Sequence, residues 1–355
     1  MADDAMEPGE TREPLLHNAG NEAAGGIWRV RHAGSEKSSI LKITQPPRGG
    51  PPSGSAWRTS ETPTHFNYWR REVYAYDTDF AELVYRDAGI RAPELEFLNI
   101  RKDGSIELWL EDVAGPSGFE FPVSRLGRFG YELGVAQARW VGCVPSAEEL
   151  PWLSRGWLRQ YLGQGPGNNV WIRDEDWDDP VARAWPDEVR TRLRGLWDWR
   201  MTALERVEDL PRTVCHLDCW PANLIEDSTG ASVLLDWAFV GEGAVGEDPA
   251  NLIIDSVTDG LLDVALLPEI AEAVTAGYIS GLADGGHRAS ADEVRRAIAT
   301  CAAVKYSWLG AHVIASAVRG RRDRPSYNQD DSPVESLKRV TGVAELLSDW
   351  AGVLN

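Results

Sequence analysis

The chain has no uninterrupted apolar run of about 18 residues, the length that would cross a bilayer as a helix, so no membrane span is expected. Residues 1–13 are acidic and polar. They lack the basic stretch followed by an apolar stretch that marks a secretory leader, and the expected location is the cytoplasm. Cysteine is scarce. Cys143, Cys215, Cys219 and Cys301 are the only four, and no second Cys/His pair stands near Cys215 and Cys219 to complete a zinc site. Free thiols are the expected state in that compartment. Basic residues are outnumbered, 36 against 55 acidic, for a net charge of −19. That excess argues against nucleic acid as a partner, because phosphate backbones need clustered Lys and Arg. It suits a small cationic molecule, and it also serves solubility. No internal repeat is visible.

What is present is a chain long enough, at 355 residues, for two domains or two lobes around a cleft. Tryptophan is abundant, with sixteen copies, so some can line a pocket while most anchor cores. Period-two runs at 13–18, 27–31 and 39–43, with a turn at 33–37, predict an antiparallel meander. Residues 45–64 are rich in Pro, Gly and Ser and read as a mobile loop. A helix is expected over 66–88, carrying Tyr68, Trp69, Val73, Tyr76, Phe80 and Leu83 at helical spacing, with Gly89 as its C-cap. Strands at 92–98 and 106–110 follow, joined by a turn at Lys102-Asp103-Gly104. After a linker at 115–118, helices are expected at 123–141, 152–162, 186–207, 248–255, 268–282, 291–319 and 333–354. A hairpin at 213–237 interrupts them. Strands first and helices after predict an α+β fold. The division falls into an N-terminal lobe at 1–113 and a helical C-terminal lobe at 114–355.

The chemistry concentrates in that hairpin. His216-Leu217-Asp218-Cys219-Trp220-Pro221-Ala222-Asn223 is followed, after a turn at 227–230, by Leu234-Leu235-Asp236-Trp237. Pro221 argues against a helix there. A hairpin of this length brings Asn223 and Asp236 together at its open end. Asp218 lies just ahead, facing the same mouth. One carboxylate can orient a hydroxyl and take its proton, while an amide and a second carboxylate can hold magnesium against phosphate oxygens. Any one of these residues alone is ordinary turn chemistry. Their joint spacing is not.

This pattern resembles the aminoglycoside phosphotransferase family, which includes choline-kinase-like and related small-molecule kinases of two-lobed, protein-kinase-like fold. The resemblance implies Asp218 as catalytic base, Asn223 and Asp236 as metal ligands, and His216 as structural support for the loop. Leu217 stands where that family usually has Gly, so the backbone there is expected to avoid positive φ. Asp248 reads as a helix N-cap with Pro249 at the first helical position, a structural role. In the N-terminal lobe, Lys42 in Ile40-Leu41-Lys42-Ile43 would hold the α- and β-phosphates, and Glu72 would hold Lys42. Gly25 and Gly26 stand where a phosphate-covering loop belongs, although no G-x-G-x-x-G is present. Backbone groups around Glu111 and Val113 would meet adenine, with Asp112 facing solvent.

The acceptor candidates are Asp255, Asp259 and Trp308. Glu247, Asp330 and Asp331 are weaker ones, and His312 reads as a core histidine. The activity implied is transfer of the γ-phosphoryl of ATP or GTP, with Mg2+, to a hydroxyl of an aminoglycoside-like or other antibiotic. Another acceptor, such as a sugar, amino alcohol, nucleoside or peptide natural product, is the alternative, in biosynthesis or self-resistance. A non-catalytic nucleotide-binding module is disfavoured by the intact Lys, Asp, Asn, Asp set. A protein kinase is disfavoured by the absence of H-R-D-L-x-x-x-N, D-F-G and A-P-E.

Overall fold

The computed structural model describes residues 10–31, 34, 37–48, 55–168, 170–320 and 332–354. Asp330, Asp331, part of the turn at 33–37 and part of the loop at 45–64 lie outside them.

The expected meander forms an antiparallel five-stranded sheet. Its strands are β1 (Thr11–Pro14), β2 (Ala24–Arg31), β3 (Ser38–Thr44), β5 (Leu95–Ile100) and β6 (Ile106–Glu111), in the order β1-β2-β3-β6-β5. A two-residue strand, β4 (Ile90–Arg91), precedes β5. Alternation along β3 decides the lobe's layout. Leu41 and Ile43 pack with Val30 and Trp109 on one face, while Ile40, Lys42 and Thr44 line a cavity on the other.

The helix expected over 66–88 is broken. It becomes α1 (Arg71–Asp77), α2 (Phe80–Leu83) and a 3-10 turn, with Asp79 in the left-handed region at φ 56 between the first two. The break lets Phe80 meet Trp152 edge-on at 5.3 Å. Gly89 does close the last turn, at φ 83.

Helices then dominate: α3 (Val123–Ala138), α4 (Trp157–Gln164), α5 (Asp187–Glu208), α6 (Glu247–Thr258), α7 (Leu267–Asp284), α8 (Ala291–Lys305), α9 (Ser307–Arg319), α10 (Pro333–Arg339) and α11 (Thr341–Gly352). Two expected helices are split, at Tyr306 and at Val340. Short strands thread between them: β7 (Ser154–Arg155), β8 (Arg212–Cys215), β9 (Leu224–Glu226), β10 (Ser232–Leu234) and β11 (Gly241–Ala244). The hairpin β9–β10 forms as expected, but it is not alone. β4 adds to it in parallel, and β7, β11 and β8 make a second small sheet. The hairpin is thereby tied to the segment leading into β5. No helix among the described residues is long and apolar enough to cross a membrane.

Helices α3 and α7 cross at backbone distance, where a Cβ on Gly281 would fall 2.0 Å from the Tyr131 carbonyl. That crossing brings Gln137 of α3 and Tyr278 of α7 together beneath the hairpin, with the Tyr278 hydroxyl donating to Gln137 at 2.5 Å.

Candidate active site

A cavity of about 670 Å³ lies between the sheet and the helices. The residues singled out by sequence converge on it from distant parts of the chain. Lys42 reaches across from β3, and its Nζ is 2.6 Å from Glu72 Oε2 and 2.7 Å from Asp236 Oδ1. Arg71 sets the angle of α1 that makes this possible. Its guanidinium is fully buried and donates to the carbonyls of Pro63, His65, Phe66, Trp152 and Ala238. With Arg71 committed to the helical lobe, the next residue, Glu72, turns to Lys42.

Burial opposes the charge on Lys42, but Asp236 and Glu72 outweigh it and raise its pKa. Burial pushes the Glu72 carboxyl up to about 7 against the pull of Lys42. Asp236 stays below the usual carboxylate range, because Lys42 overcomes the burial that would raise it. Asp236 sits at φ 58, a left-handed position that Asp tolerates better than most residues, as the chain turns from β10 into a 3-10 turn.

Asn223 ends a 3-10 turn begun by Pro221. Its amide nitrogen donates to the Asp218 carbonyl at 2.8 Å and to Asp218 Oδ2 at 3.0 Å. The amide is thus oriented by its nitrogen, and its oxygen is the group left to serve as a ligand. Across the hairpin, the Leu235 N–H donates to the Asn223 carbonyl at 2.8 Å, which fixes the register of the two arms. Asp218 is raised to about 7, first by burial and then by repulsion from Asp236, with Lys305 pulling the other way.

Two readings of this loop are corrected. Leu217 does adopt positive φ, at 69°, despite its side chain. Asp248 is not the N-cap of α6. Gly246 caps that helix, at φ 100, and Asp248 lies inside the first turn, fully buried. Its carboxylate accepts from the backbone N–H groups of His216 at 2.7 Å and Leu217 at 2.8 Å, and from Gln137 at 2.7 Å. A left-handed leucine costs about 1–2 kcal/mol over the usual conformation. These bonds, together with full burial of the Leu217 side chain, oppose that cost. His216 supports the loop as a neutral ring. It meets Trp237 edge-on at 5.0 Å, and burial lowers its pKa to about 4.

Glu111, Val113, Asp255 and Asp259 line the cavity as expected. Gly25 and Gly26 do not. They lie within β2 at an irregularity of its pairing, with Gly26 at φ 136 against the Trp28 ring, so they serve the sheet. Asp112 does not face solvent. It accepts from Arg29 Nε at 2.6 Å and from the Ser38 hydroxyl at 2.5 Å. Trp308 is buried in α9 away from the cavity, with His312 edge-on to it at 5.7 Å. Glu247 is buried too, accepting from the Ala244 N–H.

The structure adds residues that sequence reasoning missed. Trp57 lies in the Pro/Gly/Ser-rich loop, yet its carbonyl accepts from Glu22 N–H and Asn67, and its ring stacks on Phe239 at 5.7 Å. With Trp157 and Tyr161 it forms an aromatic wall of the cavity. Asn251 and Lys305 were also missed. A single lysine ending the apolar run of α8 was the available signal.

The family model described as the phosphotransferase enzyme family, APH, matches residues 83–292, more than half of the chain. The chain belongs to this family. It is therefore a small-molecule phosphotransferase with a hydroxyl acceptor. No curated protein matches it. Among solved structures it resembles the amicoumacin kinase hAmiN in complex with AMP-PNP, Ca2+ and Ami, at 11% identity, covering 95% of this chain and 88% of that one, with a TM-score of 0.52. It also resembles spectinomycin phosphotransferase APH(9)-Ia in complex with ADP and spectinomycin, at 13% identity over 96% and 93% of the two chains, with a TM-score of 0.50. At these identities the likeness establishes the shared two-lobed, protein-kinase-like fold.

Proposed function

We propose that this phosphotransferase moves the γ-phosphoryl group of ATP or GTP to a hydroxyl of an aminoglycoside-like or other antibiotic acceptor. The observation that carries the reading is the convergence of Lys42, Asp218, Asn223 and Asp236 on one cavity from three separate segments. Asp218 orients the acceptor hydroxyl and takes its proton. Lys42, aimed by Glu72, holds the nucleotide phosphates, and backbone groups at Glu111 and Val113 meet the base. The division between the two lobes falls at 113/114.

Asn223 and Asp236 fit Mg2+. Both offer oxygen, and this ion usually takes one or two protein ligands and completes its shell with phosphate and water. When bound, the ion would neutralise charge on the phosphates. Asp255 and Asp259 favour a cationic acceptor, and the aromatic wall of Trp57, Trp157 and Tyr161 suits a ring to stack on.

The test is a panel of aminoglycosides, other hydroxylated antibiotics, sugars and amino alcohols, scored for nucleotide consumption and phosphorylated product. Turnover confined to sugars or amino alcohols would remove the antibiotic reading. Nucleotide binding that is indifferent to magnesium would remove the metal assignment.

A further inference from the structure

Lys305 ends α8 at the cavity wall and is only 4% exposed. Its ammonium donates to Asn251 Oδ1 at 2.6 Å and to the Leu217 carbonyl at 3.3 Å. It also lies over the Trp157 ring at 4.9 Å and the Tyr306 ring at 5.9 Å. Every hydrogen-bond partner it has among the described residues is a neutral oxygen, and no carboxylate there comes within ion-pair distance. Asp218 and Asp248 feel its charge only from beyond that distance, and a buried ammonium with no carboxylate in contact is penalised by desolvation, where an apolar side chain would fill the space more cheaply. Cys301, Ala302, Ala303 and Val304, just before it, are buried with no such cost.

The bond to Leu217 shows where the charge is directed. The Leu217 carbonyl belongs to the peptide that joins Leu217 to Asp218. Asp248 holds the two preceding N–H groups, those of His216 and Leu217, whereas the carbonyl of the 217–218 peptide accepts from Lys305. With Leu217 left-handed, that peptide follows a strained residue and leads directly into the Asp218 side chain. Lys305 holds it by its carbonyl. The ammonium is itself aimed. Asn251 donates to Asp255 Oδ2 at 2.7 Å and to the Tyr306 hydroxyl at 3.0 Å, and Tyr306 donates to the same Asp255 oxygen at 2.7 Å. This leaves the Asn251 amide oxygen turned to Lys305.

We propose that Lys305 is a positioning residue for phosphoryl transfer, which holds the Leu217–Asp218 peptide so that the Asp218 carboxylate meets the acceptor hydroxyl. The assignment rests on Asp218 being the base. Lys305 has no part in nucleotide binding, so its loss lowers kcat and spares nucleotide affinity.

The experiment compares the native chain with Lys305→Met, Lys305→Arg and Asp218→Asn. Steady-state transfer from magnesium ATP is measured with the acceptor returned by the panel and with water. Calorimetry with magnesium and AMP-PNP measures nucleotide affinity, and thermal unfolding checks the fold. Misplacement of a reacting group by about 1 Å costs on the order of 100-fold, and that loss in kcat is expected of Lys305→Met, with AMP-PNP affinity within about twofold of native. Lys305→Arg should recover at least about tenfold of it, since it restores a buried cation at the carbonyl.

A Lys305→Met kcat within about threefold of native, a loss of AMP-PNP affinity in step with kcat, or no recovery in Lys305→Arg would each overturn the role. If Lys305→Met does not fold, Asn251→Ala serves instead, because it keeps the ammonium and removes its aim. A kcat drop of about tenfold with affinity retained then supports the role, and an unchanged kcat overturns it. If Asp218→Asn abolishes turnover while Lys305→Met does not lower it, only the Lys305 assignment fails. If the native chain transfers to nothing, water included, the functional reading fails and takes this one with it.

Discussion

Two buried lysines line one cavity, and they are held in opposite ways. Lys42 is locked between two carboxylates, Glu72 and Asp236, at 2.6 and 2.7 Å. Lys305 is held by a carbonyl, an amide oxygen and two aromatic faces. The first arrangement suits a cation that must stay fixed while a highly charged ligand arrives and leaves. Its counter-charges are built into the protein, so the cation is held in place without that ligand. The second leaves a positive charge whose partners are neutral, beside the peptide that carries Asp218. The contrast separates the charge proposed to meet nucleotide from the charge proposed to shape the loop.

That separation can be broken experimentally. The largest effect belongs to Asp218, which lines the same cavity as both lysines. Asp218→Asn should lower kcat by at least about 1,000-fold through loss of the base, with magnesium AMP-PNP still bound. Residual transfer near the native rate would reassign the base.

Lys42→Met should act on the other quantity. It is expected to weaken nucleotide binding by roughly 10- to 100-fold in calorimetry, as a buried phosphate contact worth about 1.5–3 kcal/mol is lost. If Lys42→Met instead spares affinity and lowers only kcat, the two lysines do not divide the work as proposed.

A smaller effect sharpens the account of the loop they share. Burial keeps His216 neutral in the folded chain down to about pH 4, whereas its usual pKa is 6.5. Between those values the unfolded chain takes up a proton that the folded chain refuses, so this residue costs stability as pH falls through the window. The full cost is on the order of 3 kcal/mol. His216→Phe removes it, and the variant should gain by that amount relative to the native chain between pH 7 and pH 4 in denaturant melts. The carboxyls raised by burial, Asp218, Glu72 and Asp248, titrate in both chains and largely cancel in the difference. A pH-independent difference would mean that the ring is not held neutral.

The sequence was most legible where chemistry and local geometry coincide. Asn223 and Asp236 could be paired because a hairpin of fixed length sets its own register, and Lys42 because period-two alternation puts one face of β3 toward the cleft. It was least legible where a long-range contact overrides a local preference. Leu217 seemed to exclude positive φ, yet burial and the Asp248 carboxylate hold it there. The helix over 66–88 has a sound apolar period, but the contacts made by Arg71 and Phe80 break it. Trp57 was hidden in a stretch whose composition reads as mobile, because the partners that fasten it, Glu22 and Asn67, lie outside that stretch.

By itself, then, the sequence determined the reaction class and picked out the residues proposed to stand nearest the transferred group, since those depend on side-chain chemistry at short spacing. The tertiary structure alone decided the second lysine. Lys305 lies 88 residues after Leu217 along the chain, and its own neighbourhood marks it only as a lone lysine ending an apolar run, without saying what it meets. Only the packing of α8 against α6 and the hairpin brings its charge to the peptide before Asp218, because desolvated electrostatic contacts are set by distance in space and not along the chain.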